Sequence, residues 1–145
     1  WRSYTLIGEV NDGNSYHAFS GVAGHAGLFS NAVNLKSLLN LLIHRGVHDG
    51  KRYLESETVE LFWNSHEKPL GWQKSENPSG AIFSHSGFTG TFVAGIPKEK
   101  LAVVLLTNRQ NNGLKTDGYY EDMTLLEQEL LQTLTSGFST PTECN

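Results

Sequence analysis

The chain has 145 residues, with 11 Lys and Arg against 15 Asp and Glu, and a formal net charge of −4. This length fits one domain with a single core, and the lack of a basic cluster leaves nucleic-acid binding without an electrostatic basis. The one cysteine, Cys144, excludes an internal disulfide, and the apolar runs "LLNLLI" and "LAVVLL" are too short to span a bilayer. Because the first residue is Trp1 and not Met, we expect a trimmed piece of a longer polypeptide.

The first third of the chain predicts loop followed by helix. From Trp1 to Gly27 the sequence is rich in Gly, Asn and Ser, which predicts loop with at most one short strand around "YTLIGEV". Apolar residues at three- and four-residue steps in "SNAVNLKSLLNLLIHRG" predict a helix with Ser30 as N-cap and Gly46 as C′. The Asp-Gly of "VHDGKRYL" predicts a tight turn between two short extended pieces. A second helix is predicted over "SETVELFWN", capped by Glu55 or Ser56 and ended by "EKP".

The rest of the chain predicts a sheet and a terminal helix. We predict strands at "LGWQ", "GAIFSHSG", "TFVAGIP" and "KLAVVLLTNR", with "PKEK" turning between the last two. The run "LAVVLL" is apolar on both faces, which is typical of a central strand. The segment "YEDMTLLEQELLQTL" predicts a helix with an apolar stripe formed by Met123, Leu126, Leu130 and Leu134, widened by Leu125 and Leu131. The sequence therefore predicts an α+β chain with an antiparallel sheet of three to four strands and flanking helices.

Two polar segments are candidates for a site. In "HSGFTG", residues 85 to 90, the glycines inside a strand pattern mark either the close approach of a ligand or a β-bulge or hairpin rim. In "GVAGHAGLFS", glycines around His25 either make room for a ligand or mark a tight approach of loop to sheet. The six histidines lack metal-ligand spacing, so we expect neither a metal site nor a cofactor. Glu127 and Glu129 are predicted on different sides of the terminal helix, which argues against paired carboxylates.

Four segments in this order, "GVAGHAGLFSNAVNLKSLL", "LGW", "FSHSGFTGT" and "LAVVLLTNR", carry a family resemblance. Together they resemble the C-terminal half of class C β-lactamase-like serine hydrolases, the superfamily of penicillin-binding proteins, DD-peptidases and related esterases. The resemblance is strongest to penicillin-binding-protein-4B-like members and runs from about Glu9 to Arg109. It implies a partial β-lactamase/transpeptidase-like fold.

The resemblance implies roles for five consecutive residues. His85, Ser86 and Gly87 match the family's Lys/His-Thr/Ser-Gly motif on the strand that edges the cleft. Gly87 would let a substrate backbone lie against the strand, Ser86 would offer a hydroxyl to a substrate carbonyl or carboxylate, and His85 would supply a polar head. The backbone N–H of Phe88 would be an oxyanion-hole donor, and Thr89 lies beside it as a further substrate contact.

The same resemblance places two further segments around the cleft. His25 would line the opposite wall, and the polar run from Asn108 to Asn112 would form a rim that meets a substrate carboxylate. The family's nucleophile motif, Ser-x-x-Lys, and its Tyr-x-Asn motif normally precede the segments seen here. "SHEK", from Ser65 to Lys68, matches Ser-x-x-Lys formally, but "EKP" makes it a polar helix end unsuited to a buried nucleophile, and we reject the match.

We therefore expect one region that is the C-terminal portion of a β-lactamase-like domain, divided into a loop-rich cleft wall (1–30), helices (31–66), a sheet (70–109) and a terminal helix (120–135). The parent would act on a small molecule or a peptidoglycan peptide, in the periplasm or elsewhere outside the cytoplasm. The isolated chain is expected to be inactive. The alternative is a non-catalytic module that pairs through its sheet edge, as a homodimer or with the N-terminal half of the parent.

Overall fold

The computed structural model describes residues 2–64, 70–77 and 80–136, so the Ser65 to Lys68 stretch and Cys144 lie outside the described residues. The chain divides between Asn31 and Ala32 into two compact units. The first unit contains helix α1 (Gly13–Phe19). The elements of the second unit are, in order, α2 (Ala32–Ile43), β1 (Val47–His48), β2 (Lys51–Arg52), α3 (Ser56–Asn64), β3 (Gln73–Asn77), β4 (Gly80–Ser86), β5 (Thr91–Ile96), β6 (Leu101–Leu106) and α4 (Thr124–Ser136). Within the described ranges, no helix combines the length and apolarity needed to cross a membrane.

Helix α1 lies within the stretch of the first unit that the sequence predicted as loop. Asp12 is its N-cap, and its carboxylate accepts a hydrogen bond from the Ser15 N–H at 2.6 Å. Ser15 is fully buried, whereas the short strand predicted around "YTLIGEV" does not form. The loop prediction was therefore wrong only at Gly13–Phe19, because a two-turn helix that starts at a good cap needs no long apolar period.

Helix α2 confirms the helix predicted from its apolar period, with small shifts at both ends. It begins at Ala32 rather than directly after Ser30. At its end Arg45, at φ +51°, donates its N–H to the Leu42 carbonyl, and the Gly46 N–H donates to the Leu41 carbonyl. This is a Schellman motif in which Arg45 is C′ and Gly46 is C″. The C′ position is thus Arg45, one residue before the Gly46 that the sequence predicted.

The four-stranded sheet has the order β3-β4-β5-β6, with every neighbouring pair antiparallel, as the sequence predicted. The first strand was misplaced, because β3 is the polar segment from Gln73 to Asn77 and not "LGWQ". It pairs with β4 from Gln73 opposite Ser84 to Asn77 opposite Gly80. A strand at the edge of a sheet can be polar, since it needs one partner and little burial.

The sheet has an apolar cluster on each face. The cluster on the α2 and α3 side contains Leu39, Leu42, Ile43, Val59, Trp63 and Phe83. The cluster on the other face contains Ile82, Phe92, Ala94, Ile96 and Val103, and α4 covers it with Leu130, Leu131 and Leu134. Leu125 and Leu126 of the predicted stripe are 71% and 45% exposed. Strand β6 is covered on both faces, as predicted, but it lies at the end of the described sheet and not at its centre.

Candidate active site

The end of β4 presents His85 and Ser86 on opposite faces of the sheet, because side chains alternate along a strand. His85 pairs with Val93, which packs on the α2 and α3 side. Ser86 pairs with Phe92, which belongs to the cluster covered by α4. The His85 side chain is exposed, and its Nδ1 lies 2.9 Å from the Ser86 carbonyl oxygen. The two polar side chains of the motif therefore face different surroundings.

Ser86 is paired with a carboxylate on α4. Its hydroxyl donates to Oε2 of Glu127 at 2.8 Å. Glu127 lies in the first turn of α4, where its N–H donates to the Met123 carbonyl. Glu127 was not among the predicted site residues, because it and Glu129 were expected on different sides of the terminal helix, which argued against paired carboxylates. The signal that would have found it is the apolar face of the helix. Leu130, Leu131 and Leu134 pack on the Ser86 side of the sheet, and Glu127 lies three, four and seven residues before them, on the same face.

The turn between β4 and β5 is closed by its own backbone. The Gly87 N–H donates to the Thr91 carbonyl at 2.6 Å, and the Gly90 N–H donates to the Gly87 carbonyl at 2.9 Å. Gly90 has φ +101°, which favours glycine, and a Cβ there would lie 2.7 Å from the Thr107 hydroxyl oxygen. Thr107 in turn donates its hydroxyl proton to the Gly90 carbonyl. The second glycine of "HSGFTG" is thus required by the turn itself.

Phe88 lies at the tip of this turn. Its side chain is 61% exposed, and no described residue accepts a hydrogen bond from its N–H. The Phe88 carbonyl accepts from Nε of Arg109 at 2.6 Å, and the guanidinium lies 4.9 Å from the centre of the Phe88 ring. The Thr89 carbonyl accepts from the Arg109 N–H at 3.0 Å. Arg109 therefore fixes the turn on its carbonyl side while the Phe88 N–H remains available.

A cavity of about 180 Å³ lies next to this turn. Its lining combines acceptors, a cation and apolar atoms, contributed by Ser86, Gly87, Phe88, Arg109, Asp122, Met123, Thr124 and Glu127. The Asp122 carboxylate accepts from the Thr124 N–H at 2.9 Å and from the Thr124 hydroxyl at 2.7 Å. These hydrogen bonds, the backbone one first, lower the pKa of Asp122. The cavity thus contains fixed negative charge next to the Arg109 guanidinium.

Of the predicted site residues, Ser86, Gly87 and Phe88 line this cavity, whereas His85, Thr89 and Asn108 do not. Asn108 precedes the 3₁₀ turn Arg109–Asn112, and its side-chain oxygen accepts from the Asn111 N–H at 3.2 Å. That hydrogen bond caps the turn. In the described part of the chain, no group of three or more His, Cys, Asp and Glu side chains is placed to hold a metal ion.

His25 lies in the first unit, within a small polar cluster. Its Nε2 is 3.1 Å from the Ser15 hydroxyl oxygen and 3.1 Å from Oδ1 of Asp12. The Ser15 N–H, and then the His25 side chain, lower the pKa of the Asp12 carboxyl. A Ser-His-Asp relay needs the serine and the carboxylate on opposite ring nitrogens, and a serine that substrate can reach. Here both contact the same nitrogen and Ser15 is buried, so the cluster does not meet either requirement. Its hydrogen bonds instead join the glycine-rich loop to the start of α1.

The Beta-lactamase family model matches residues 2–125, which cover the turn, the cavity and most of both units. The chain belongs to the beta-lactamase family. It is 32% identical to an N-acetylmuramyl-L-alanine amidase of Bacillus subtilis over 124 residues, which cover 76% of this chain and 28% of that protein. It is 30% identical to a putative D-alanyl-D-alanine carboxypeptidase of Escherichia coli K12 over 125 residues, 77% of this chain and 29% of that protein. This beta-lactamase-family chain thus spans less than a third of the length of these relatives. No solved structure matches it significantly.

Proposed function

We propose that this chain is the C-terminal part of a serine acyl-transfer hydrolase of β-lactamase, DD-peptidase or esterase type. The observation that carries the proposal is the Phe88 N–H, which follows the His85-Ser86-Gly87 strand end, lies beside the cavity and has no acceptor among the described residues. A preorganised N–H of this kind stabilises the oxyanion that develops during acyl transfer. Arg109 holds the Phe88 carbonyl by a hydrogen bond, so the turn needs little reorganisation when negative charge develops on the substrate oxygen.

In this proposal the nucleophile is a serine of Ser-x-x-Lys outside this chain. Its oxygen attacks the substrate carbonyl carbon while its proton passes to a base. The base then gives that proton to the amine or alcohol, which leaves as its bond to the carbonyl carbon breaks and an acyl-enzyme remains. Water then attacks the same carbonyl carbon and releases the acid and the free serine. The Phe88 N–H donates to the carbonyl oxygen in both steps, and His85 presents a polar group on the other face of β4. No cofactor takes part.

The names of the relatives support a cell-wall substrate. One is named as an amidase of N-acetylmuramyl-L-alanine and the other as a putative D-alanyl-D-alanine carboxypeptidase. We accordingly propose a peptidoglycan peptide, or a small amide or ester, as the substrate, and a location outside the cytoplasm. With His85 in place of the family's Lys, efficient β-lactam hydrolysis is not expected.

A chimera tests this proposal. In it, this chain replaces the matching 125-residue segment of the Escherichia coli relative, so that the rest of that protein supplies the nucleophile. We expect a fluorescent penicillin to acylate the chimera, and a Phe88 amide-to-ester replacement, which removes the N–H, to slow acylation by about 10²-fold or more. A folded chimera whose acylation does not respond to the loss of that N–H would exclude the oxyanion role.

The second candidate function is a non-catalytic assembly module. Strand β6 is the last strand of the described sheet, and its six residues are apolar from Leu101 to Leu106. An apolar edge strand is a template for pairing with another strand, from a second copy or from the segment that carries the nucleophile. Sedimentation of the pure chain separates the two candidates. A stable dimer that dissociates on introduction of Leu106→Lys, at an exposed residue of β6, would favour assembly, whereas a monomer at all concentrations would exclude a homodimer.

A further inference from the structure

The Ser86 hydroxyl is committed as a donor. A serine hydroxyl has one proton, and an ionised carboxylate can only accept. At 2.8 Å from Oε2 of Glu127, that proton is directed to the carboxylate. Toward the cavity, Ser86 Oγ therefore presents lone pairs. This reverses the role that the family resemblance implied, in which Ser86 would donate to a substrate carbonyl or carboxylate.

The Arg109 guanidinium supplies the donors of the same cavity. Two of its N–H groups are used by the carbonyls of Phe88, at 2.6 Å, and Glu121, at 3.0 Å. Its three remaining N–H groups are the cationic donors among the cavity-lining side chains. The lining thus combines an acceptor pair, Ser86 and Glu127, with a donor, Arg109.

We propose that this cavity binds an amide group of the substrate and rejects a carboxylate in the same place, with Glu127 as the residue that decides. An amide has N–H groups for Ser86 and Glu127 and a carbonyl oxygen for Arg109, so it satisfies both kinds of group. A carboxylate has acceptors only, and it would leave the Ser86 and Glu127 oxygens facing further negative charge. A site built to hydrogen-bond one group disfavours an analogue that leaves the polar groups of the site unpaired. The proposal rests on the proposed function, since it takes the cavity beside Phe88 as part of the substrate cleft.

Two probes of nearly equal shape test the proposal on the 145-residue chain. Isobutyramide contains a carboxamide and isobutyrate a carboxylate in the same position, and neither contains a second amide. Binding is measured by amide NMR shifts of residues 86–88 and 127 at fixed ionic strength. We expect the amide probe to bind about tenfold more tightly or better, and Glu127→Gln to remove most of that preference because glutamine can donate as well as accept.

Glu129→Gln is the matched control, because it makes the same charge change on the same helix at an exposed residue. It should leave the preference unchanged. Ser86→Ala is a second variant that keeps the Glu127 carboxylate, so the preference should persist in it even if Glu127→Gln does not fold. Equal binding of the two probes, tighter binding of the carboxylate, no binding of either probe, or an equal effect of Glu129→Gln and Glu127→Gln would each overturn the proposal.

These outcomes are separable from those of the proposed function. The NMR titration needs no turnover, so a chimera that ignores loss of the Phe88 N–H would remove the acyl-transfer role and leave the measured amide preference intact. Conversely, normal acylation of the chimera together with a carboxylate preference would overturn the proposed amide selectivity and leave the proposed function intact.

Discussion

Gly87 and Thr91 lie so close together that a Cβ on Gly87 would come within 2.2 Å of the Thr91 hydroxyl oxygen. The same two residues are joined by the hydrogen bond from the Gly87 N–H to the Thr91 carbonyl. The glycine of His-Ser-Gly is therefore required by the chain's own turn, before any ligand is considered. Thr91 occupies the space that a side chain on Gly87 would need.

Gly87→Ala should destabilise the chain by about 1–3 kcal/mol, because the new methyl group overlaps the Thr91 side chain. In a Thr91→Ala background the overlapping oxygen is gone, and the next contacts, at 3.4 and 3.5 Å, are close to ordinary van der Waals distances. Urea unfolding should be compared for the wild type, Gly87→Ala, Thr91→Ala and the double variant. Most of the stability lost on Gly87→Ala should disappear when Thr91 is alanine. An equal loss in both backgrounds would mean that backbone conformation, and not this contact, requires the glycine.

Gly95→Ala should be more costly. A Cβ at Gly95 would lie 2.2 to 2.8 Å from atoms of the Phe83 ring, and Phe83 is fully buried between β5, α2 and α3. We expect a loss of about 3 kcal/mol in the free energy of unfolding. Gly13→Ala is the control, because no atom lies within 4 Å of its added Cβ and its position in α1 favours alanine. A neutral Gly95→Ala would show that the Phe83 ring can move aside.

The Asp12 carboxyl should make the first unit sensitive to acid. Its pKa is lowered in the folded state, chiefly by the Ser15 N–H, so its stabilising contribution is present above the unfolded pKa and is lost as the pH falls through the folded pKa. The affected range begins at about pH 4 and extends downward. Asp12→Asn keeps an N-cap but cannot ionise, so its unfolding should depend less on pH in that range, as followed by NMR of the Ser15 amide. The same acid dependence in both proteins would exclude Asp12 as its source.

Arg109→Lys should loosen the turn while keeping the positive charge. Lysine cannot reproduce the planar fork that donates to the Phe88 and Glu121 carbonyls. Hydrogen exchange of the Gly87 and Gly90 amides should therefore become faster. Arg45→Lys, on an exposed pair with Glu60, is the control and should leave both amides unchanged. Unchanged exchange in Arg109→Lys would show that the turn is held by its own hydrogen bonds alone.

The elements that the sequence predicted best are those whose periodicity is set by burial. Helices α2 and α3 and the hairpin of β5 and β6 pack on the two apolar clusters, so their patterns were visible. Strand β3 and helix α1 lacked such a pattern. The strand is polar from Gln73 to Asn77 and is defined by its partner, and the helix depends on the Asp12 cap and one buried side chain, Ser15.

The candidate site was predictable only in part. "HSGFTG" indicated the end of β4 correctly, and of the two readings of its glycines the hairpin rim is confirmed, because Gly87 and Gly90 make room for Thr91, Thr107 and the backbone of the turn. The pairing of Ser86 with Glu127, 41 residues apart, depends on where α4 lies on the sheet. The rotation of a helix about its axis is a property of packing, and the stripe predicted from Met123 onward was too broad to fix it.

The first measurement is the intact mass of the pure 145-residue chain after incubation with a fluorophosphonate and, separately, with a penicillin. We propose that the nucleophile lies outside this chain, so the mass should be unchanged in both cases. The Ser86 hydroxyl donates to a carboxylate, and among the described residues no histidine or lysine side chain hydrogen-bonds to that hydroxyl. A covalent adduct would mean that the nucleophile lies within this chain, and Ser65 and Ser86 would be the first residues to map.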